Sequence, residues 1–303
     1  MLHTRLLLRG PRRSLRPLQR AQHFSSSTPP SNAYDEISQY VKRVIDRKDQ
    51  LKRYQDYSVF PPSNWSLHNY YLYANLQLPS KTEIDAVEFL NGARFACDRV
   101  IRAMHANQPI DLSSDHQIDA DIEQMFDPLC YQKDFLPRFR GLAMGSSSIE
   151  LKELDFTGVY LGGVSCERTT RANIKMEEKL RAVLSETLVE KHKLKQLNQL
   201  KGELSVKKVV EDVSAIKEKL ESELETSLED EEEVLERLQL TALLHTTQSV
   251  EAVSAQTSQR QTVKSDVKMT LRFESLVTEP NDVDWRIIKL KQFRRITSRT
   301  KDN

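Results

Sequence analysis

Six cations lie within 13 residues near one end of the chain: Lys289, Lys291, Arg294, Arg295, Arg299 and Lys301, offset only by Asp302. Ammonium and guanidinium groups at this density can hold phosphate, either on anionic lipid headgroups or on ribosomal RNA. The plain alternative is a solvated tail. Catalytic signatures are missing: there is no Gly-rich phosphate loop, no G-x-S-x-G elbow and no H-E-x-x-H. Gly162-Gly163 is not followed by G-K-[ST]. Cys97, Cys130 and Cys166 are scattered, with no C-x-x-C and no His-x-x-x-His, which suits a reduced compartment and argues against a structural zinc site. No catalytic, cofactor-binding or metal-ligating set is therefore assigned.

The opposite end is basic in a different way. Residues 1–30 hold six arginines (Arg5, Arg9, Arg12, Arg13, Arg16 and Arg20), no lysine and no acid. An Arg-rich, Ser-containing, acid-free start has the composition of a mitochondrial presequence, expected over residues 1–32. The arginines interrupt the apolar run that a secretory signal requires. The whole chain carries +1, so without those six arginines the remainder is −5. An acidic remainder argues against a generic nucleic-acid coat, and any anion-binding surface must be a local patch. No run of about 18 apolar residues is present, so no helical membrane span is expected.

The element that organises the rest is expected over residues 80–104. Ser80 and Glu83 have capping-box spacing. Ile84, Val87, Leu90, Ala93, Cys97, Val100, Ile101 and Met104 then recur at steps of three and four, the apolar face of a buried helix. Gly92 in its middle costs about 1 kcal/mol against alanine, which implies that another backbone approaches closely there. Cys97 on this face is a small hydrophobe.

Residues 33–79 precede this helix. A partial apolar face (Tyr40, Val41, Val44, Ile45, Leu51 and Tyr54) runs beside Lys42, Arg43, Arg47, Lys48, Lys52 and Arg53. Packing on the domain is favoured over a membrane-surface helix because Asp46, Asp49 and Asp56 dilute the charge. The aromatics of residues 68–73 are expected to seal a core edge. After the helix, Ile118, Ile122, Met125, Phe126 and Leu129 form a second amphipathic stretch that Pro128 kinks or ends. Phe135, Leu136, Phe139 and Leu142 form a third.

From Ile149 the period becomes strand-like, with runs at residues 151–156 and 159–166 and a bulge or bend at Gly162-Gly163. Residues 174–245 are rich in Lys and Glu and read as a helical hairpin or coiled coil, with Gly202 at its turn, or with a strand near residues 181–189. Strand character returns in three final segments. In one, Val267, Met269, Leu271 and Phe273 face one way and Lys268, Thr270, Arg272 and Glu274 the other. In the last, Trp285, Ile287 and Lys289 alternate with Arg286, Ile288 and Leu290.

Helices followed by a long-stranded antiparallel sheet ending in D-W-R-I make an α+β chain that resembles the NTF2-like cone. Within that superfamily the helix motif F-L-x-G-A-x-x-A, here Phe89, Leu90, Gly92, Ala93 and Ala96, resembles the Tim44-like family. The resemblance covers roughly residues 80–170 and 245–293. The departures are the charged helical insertion at 174–245 and the shortness of the region before residue 80. Residues 294–303 then remain as a basic tail.

The resemblance implies a non-catalytic matrix protein peripheral to the mitochondrial inner membrane. Its partners would be the protein biogenesis machinery (import motor, insertase or AAA protease), with anionic lipid at its surface. A structural role in the large mitochondrial ribosomal subunit, with rRNA contacts, is the second reading the family implies. A third follows from the isomerases and dehydratases among NTF2-like cones, whose pockets need a buried carboxylate or His and an oxyanion partner. Tyr160, Asp155 and His245 are the candidates for that.

Overall fold

The structure is a computed structural model and describes residues 33–105, 120–143, 146–198, 234–254, 259–278 and 283–301. The expected presequence, Ile118, Gly202 and the hairpin turn it was to form lie outside them. The described chain is α+β. In order it runs α1 (Ala33–Asp46), α2 (Lys48–Asp56), α3 (Ser66–Leu76), α4 (Ala86–Met104), α5 (Ala120–Gln124), α6 (Pro128–Cys130), a π-helical turn (Tyr131–Phe135), α7 (Leu136–Ala143), β1 (Ser146–Thr170), α8 (Arg171–Asn198), β2 (Val234–Ser254), β3 (Arg260–Val277) and β4 (Arg286–Lys301). The strands form one antiparallel sheet in the order β1-β2-β3-β4.

Strict alternation sets the inner face of β2 and β3. Leu238, Leu240, Ala242 and Leu244 stand opposite Ser275, Phe273, Leu271 and Met269 in register, and all are buried. α4 covers this face. Phe89 packs edge-on to Phe273 at 5.4 Å and lies 5.3 Å from Trp285, while Cys97 Sγ sits 3.6 Å from Met269 Sδ. The apolar steps of three and four correctly mark the buried face of this helix, with Val87 half-buried at its start.

Two local expectations for α4 are corrected. Ser80 and Glu83 do not form a capping box, because the helix begins at Ala86 and Asp85 caps it by accepting the Val87 N–H at 2.9 Å. The Ser80 N–H, the Lys81 N–H and the Ser80 hydroxyl donate instead to the buried Glu236 carboxylate of β2, with the backbone donors at 2.9–3.2 Å. Glu83 turns to Gln50 and Arg47. Nor does any backbone approach Gly92: a Cβ built there would meet nothing within 4 Å.

β1 pairs with β2 along its whole length but is longer, 25 residues against 21. Ser147, Lys152, Thr157 and Gly162 are the extra residues, one bulge in every five positions. Each bulge restarts the alternation. The side chains directed to the inner face are therefore Ile149, Leu151, Leu154, Phe156, Val159, Leu161, Val164 and Cys166, at alternating steps of two and three. The expected bend at Gly162-Gly163 is the last of these bulges. A Cβ on Gly162 would come within 2.6 Å of Leu243 Cγ.

The helical reading of residues 174–245 holds for α8, including the stretch at residues 181–189, but Val234 already begins β2. Arg181 ties α8 to the sheet through Glu274 (2.9 Å) and Asp127 (3.2 Å), and Glu177 pairs with the buried Arg237 at 2.7 Å. Pro128 opens α6 at its first turn, with Asp127 as the cap. The edge of β4 is partly covered. Ile287 exchanges hydrogen bonds with Met125 and Asp127 (2.8 and 2.9 Å), and Leu290 meets the Asp134 and Arg138 side chains. An extra residue at Ile288 reverses the phase of β4, so Ile287 and Leu290 are both buried while Lys289 points outward.

Candidate binding surfaces

β4 decides what the six cations can do. Residues 294–301 are the second half of this strand and not a tail. The pleat divides the set. Lys289, Lys291 and Arg295 stand opposite Arg272, Thr270 and Asp266 on the outer face, where Lys268 and the 67%-exposed Phe293 join them. Arg294 stands opposite Val267 on the inner face. A second extra residue at Thr297 places Arg299 opposite Val263, and Lys301 pairs with Gln261. The structure thus brings three of the six together and separates Arg294 from them. Charges on an exposed strand edge also discourage pairing with another chain.

The inner face changes character at the end where Arg294 lies. Beyond Leu244 the inward positions of β2 are Thr246 and Gln248, and beyond Val267 on β3 comes Ser265, all 2% exposed or less. They are linked: Gln248 Nε2 donates to Thr246 Oγ1 (3.1 Å), Thr246 donates to the Val267 carbonyl (3.4 Å), and Arg294 Nε donates to Ser265 Oγ (3.0 Å). His105 follows the C-terminal end of α4, 4% exposed, its Nδ1 2.9 Å from the Ile101 carbonyl. Burial and the Arg294 charge push the imidazole below its usual range. Burial likewise lowers Arg294, helped by Arg299. His105 Nε2 and Gln248 Oε1 are buried without a hydrogen-bond partner. Unbroken alternation from Trp285 and Ile287 would place Arg294 on the other face, because the phase of β4 turns on one extra residue.

Tyr160, Asp155 and His245 occupy the opposite face. Tyr160 and His245 are half-buried neighbours, their rings 5.6 Å apart at 75°. Asp155 is exposed and stands opposite Thr247. Burial and Lys268 lower His245. The three are not enclosed on the core side, where a pocket carboxylate or imidazole was expected.

A further surface comes from α1 and α3. Tyr40, Val44 and Tyr54 pack inward as expected, and Tyr73 donates to the Val44 carbonyl at 2.8 Å. Yet Tyr34, Ile37, Val41 and Ile45 form an exposed stripe along α1, 46–87% open to solvent. Leu67, Tyr70 and Tyr71 of α3 are exposed as well, so the aromatics of residues 68–73 seal the core only through Leu72 and Tyr73. Two of the cations expected beside the apolar face are drawn inward: Arg43 donates to the Gln77 and Leu78 carbonyls just after α3, and Arg47 to Gln77 Oε1.

Of the motif residues, Phe89, Leu90, Ala93 and Ala96 are buried on α4 and Gly92 is half-buried. The three thiols are free, and burial holds each protonated, Cys97 and Cys166 both pushed up to about 12. Among the described residues no group of three His, Cys, Asp or Glu side chains could hold a metal ion, and no helix is long and apolar enough to cross a membrane. The chain matches none of the known protein families, curated proteins or solved structures with which it was compared.

Proposed function

We propose that this chain is a Tim44-like, NTF2-like protein of the mitochondrial matrix. In this reading it is a non-catalytic adaptor, peripheral to the inner membrane, that assists protein import, insertion or assembly. In this reading the cone is the antiparallel sheet with α4 packed on its inner face, and the charged helical insertion begins with α8, between β1 and β2. The exposed stripe of Tyr34, Ile37, Val41 and Ile45 carries the proposal. Large apolar side chains left open on a helix whose other face is packed are the mark of a surface that meets a membrane or a partner. Tyr70 and Tyr71 beside them suit a boundary where one end of a ring is apolar and the other wet. The Arg-rich residues 1–30 support the compartment.

The test is flotation of the protein with vesicles containing cardiolipin, comparing wild type with Ile37→Asp/Val41→Asp/Ile45→Asp. The expected result is co-flotation of wild type and loss of it in the triple variant at unchanged melting temperature. Flotation that survives the three substitutions rejects the stripe as the contact. Lys289, Lys291 and Arg295 around exposed Phe293 favour the second reading, a large ribosomal subunit protein, because cations beside an aromatic suit RNA. Migration with that subunit in a sucrose gradient at high salt selects it over the adaptor.

A further inference from the structure

The alternation that buries Met269 and Leu271 turns Lys268, Thr270 and Arg272 outward on β3, an interior strand. On β4 the residues opposite these three are Phe293, Lys291 and Lys289, and Arg295 follows in the next row. Five cations therefore meet on the outer face, against Asp266 and Asp155 in the row of Arg295. Beyond them Lys264 lies 3.9 Å from Glu153, but none of the five forms an ion pair with a described residue. α8 crosses this face at its other end, where Arg181 and Glu177 meet Glu274 and Arg237. Protection of a sheet edge explains charges on β4. It explains neither Lys268 and Arg272 on an interior strand nor an aromatic ring left open among them.

That ring is Phe293, 67% exposed. Lys291 and Arg295 flank it along the strand, each about 7 Å away, and Lys268 faces it across the ladder. The same row continues to His245 on β2, about 10 Å from Phe293, with Tyr160 packed on the imidazole. Cations hold phosphates, and an open ring stacks on any base. A four-stranded sheet whose surface aromatics stack bases is a general way of holding an unpaired strand. A duplex hides its base faces and would leave Phe293 unused. A lipid surface calls for several apolar side chains together, as on α1, whereas the neighbours of Phe293 are cations and hydroxyls. Thr241 and Thr270 share the rows of Lys289 and Lys291. Their hydroxyls suit a ribose 2′-OH, the group that separates RNA from DNA.

We infer that the outer face of the sheet binds single-stranded RNA, with a base stacked on Phe293 and the flanking phosphates on Lys291, Arg295 and Lys268. The inference deepens the ribosomal reading above and rests on its cations, but it specifies an unpaired strand and the ring that holds it.

The experiment is fluorescence anisotropy of the full chain with a labelled oligouridylate of about ten nucleotides. Saturable binding that weakens with salt is expected. Phe293→Ala should weaken it about tenfold and leave the weaker binding of inorganic polyphosphate, a polyanion without bases, as it was. Lys291→Gln should lower the slope of log affinity against log salt by about 0.7, and Lys52→Gln on α2 should change nothing. In competition with wild type, a duplex of the same length should displace the strand poorly and oligodeoxyuridylate less well than oligouridylate, so the test does not hang on the variants folding. The inference is overturned if wild type fails to bind oligouridylate, if Phe293→Ala binds as wild type does, or if polyphosphate or duplex competes as well as the single strand. Equal competition by the deoxy strand overturns the assignment to RNA, and displacement by cardiolipin vesicles gives the face to lipid instead. Absence from the ribosomal subunit with the strand still bound rejects the ribosomal reading alone; presence there without strand binding rejects this inference alone.

Discussion

Gly92 shows how a residue's surroundings reverse the meaning of its type. Glycine in a helix interior usually signals a close approach, yet a Cβ here would point into open space. The helix bears the entropic cost of glycine without any packing in return. Gly92→Ala is therefore expected to raise the unfolding free energy by about 1 kcal/mol, measured by urea denaturation; a destabilised variant would mean that something occupies that space. Glu236 is the converse case. Its carboxylate lies in a strand interior because the turn at Ser80 and Lys81 presents two backbone N–H groups and a hydroxyl to it. This charge-assisted set fixes where the chain enters α4. Nothing in the spacing of residues so far apart announces such a pairing.

Among the elements, α4 was legible because its apolar positions recur over five turns, and β3 because its alternation is unbroken. The start of α4 was not. Ser80 and Glu83 have the right spacing for a cap, but Glu236 captures the serine, and Asp85 caps the helix instead. The first half of β2 was hidden because its polar residues sit among Lys- and Glu-rich sequence that reads as helix. β4 kept its identity but carries extra residues at Ile288 and Thr297; the pleat sets Arg294 apart from Lys289, Lys291 and Arg295, and the second shift turns Arg299 to the face of Val263, so the six cations are not one patch. The facing of Tyr160 and Asp155 depends on the bulges of β1, which local sequence does not count. Gly162 is where a bulge meets a tight contact, with Leu243 Cγ 2.6 Å from a built Cβ. Gly162→Val should destabilise the protein by about 1–3 kcal/mol through overpacking, read as a lowered melting temperature; a neutral result would show that Leu243 moves aside freely.

At the scale of the molecule, one buried and one half-buried imidazole set a pH limit. Burial and a neighbouring cation lower both His105 and His245 from the ordinary 6.5. Below 6.5 the unfolded chain takes up protons that the folded chain refuses, so stability is complete above that value and falls as the pH drops toward the lowered folded values. The melting temperature should thus be lower at pH 5.5 than at pH 7.5, and His105→Gln should flatten that difference; an unchanged slope would remove His105 from this account. The same assembly carries an unusual allowance for changes of length. In β2 or β3 the loss of one residue would turn every later side chain to the wrong face. In β1, losing Ser147, Lys152, Thr157 or Gly162 would merely close a bulge and leave each inward residue opposite its present partner. Four deletions that would wreck an ordinary strand are here only a change of curvature, so this edge of the sheet can lose length without losing its core.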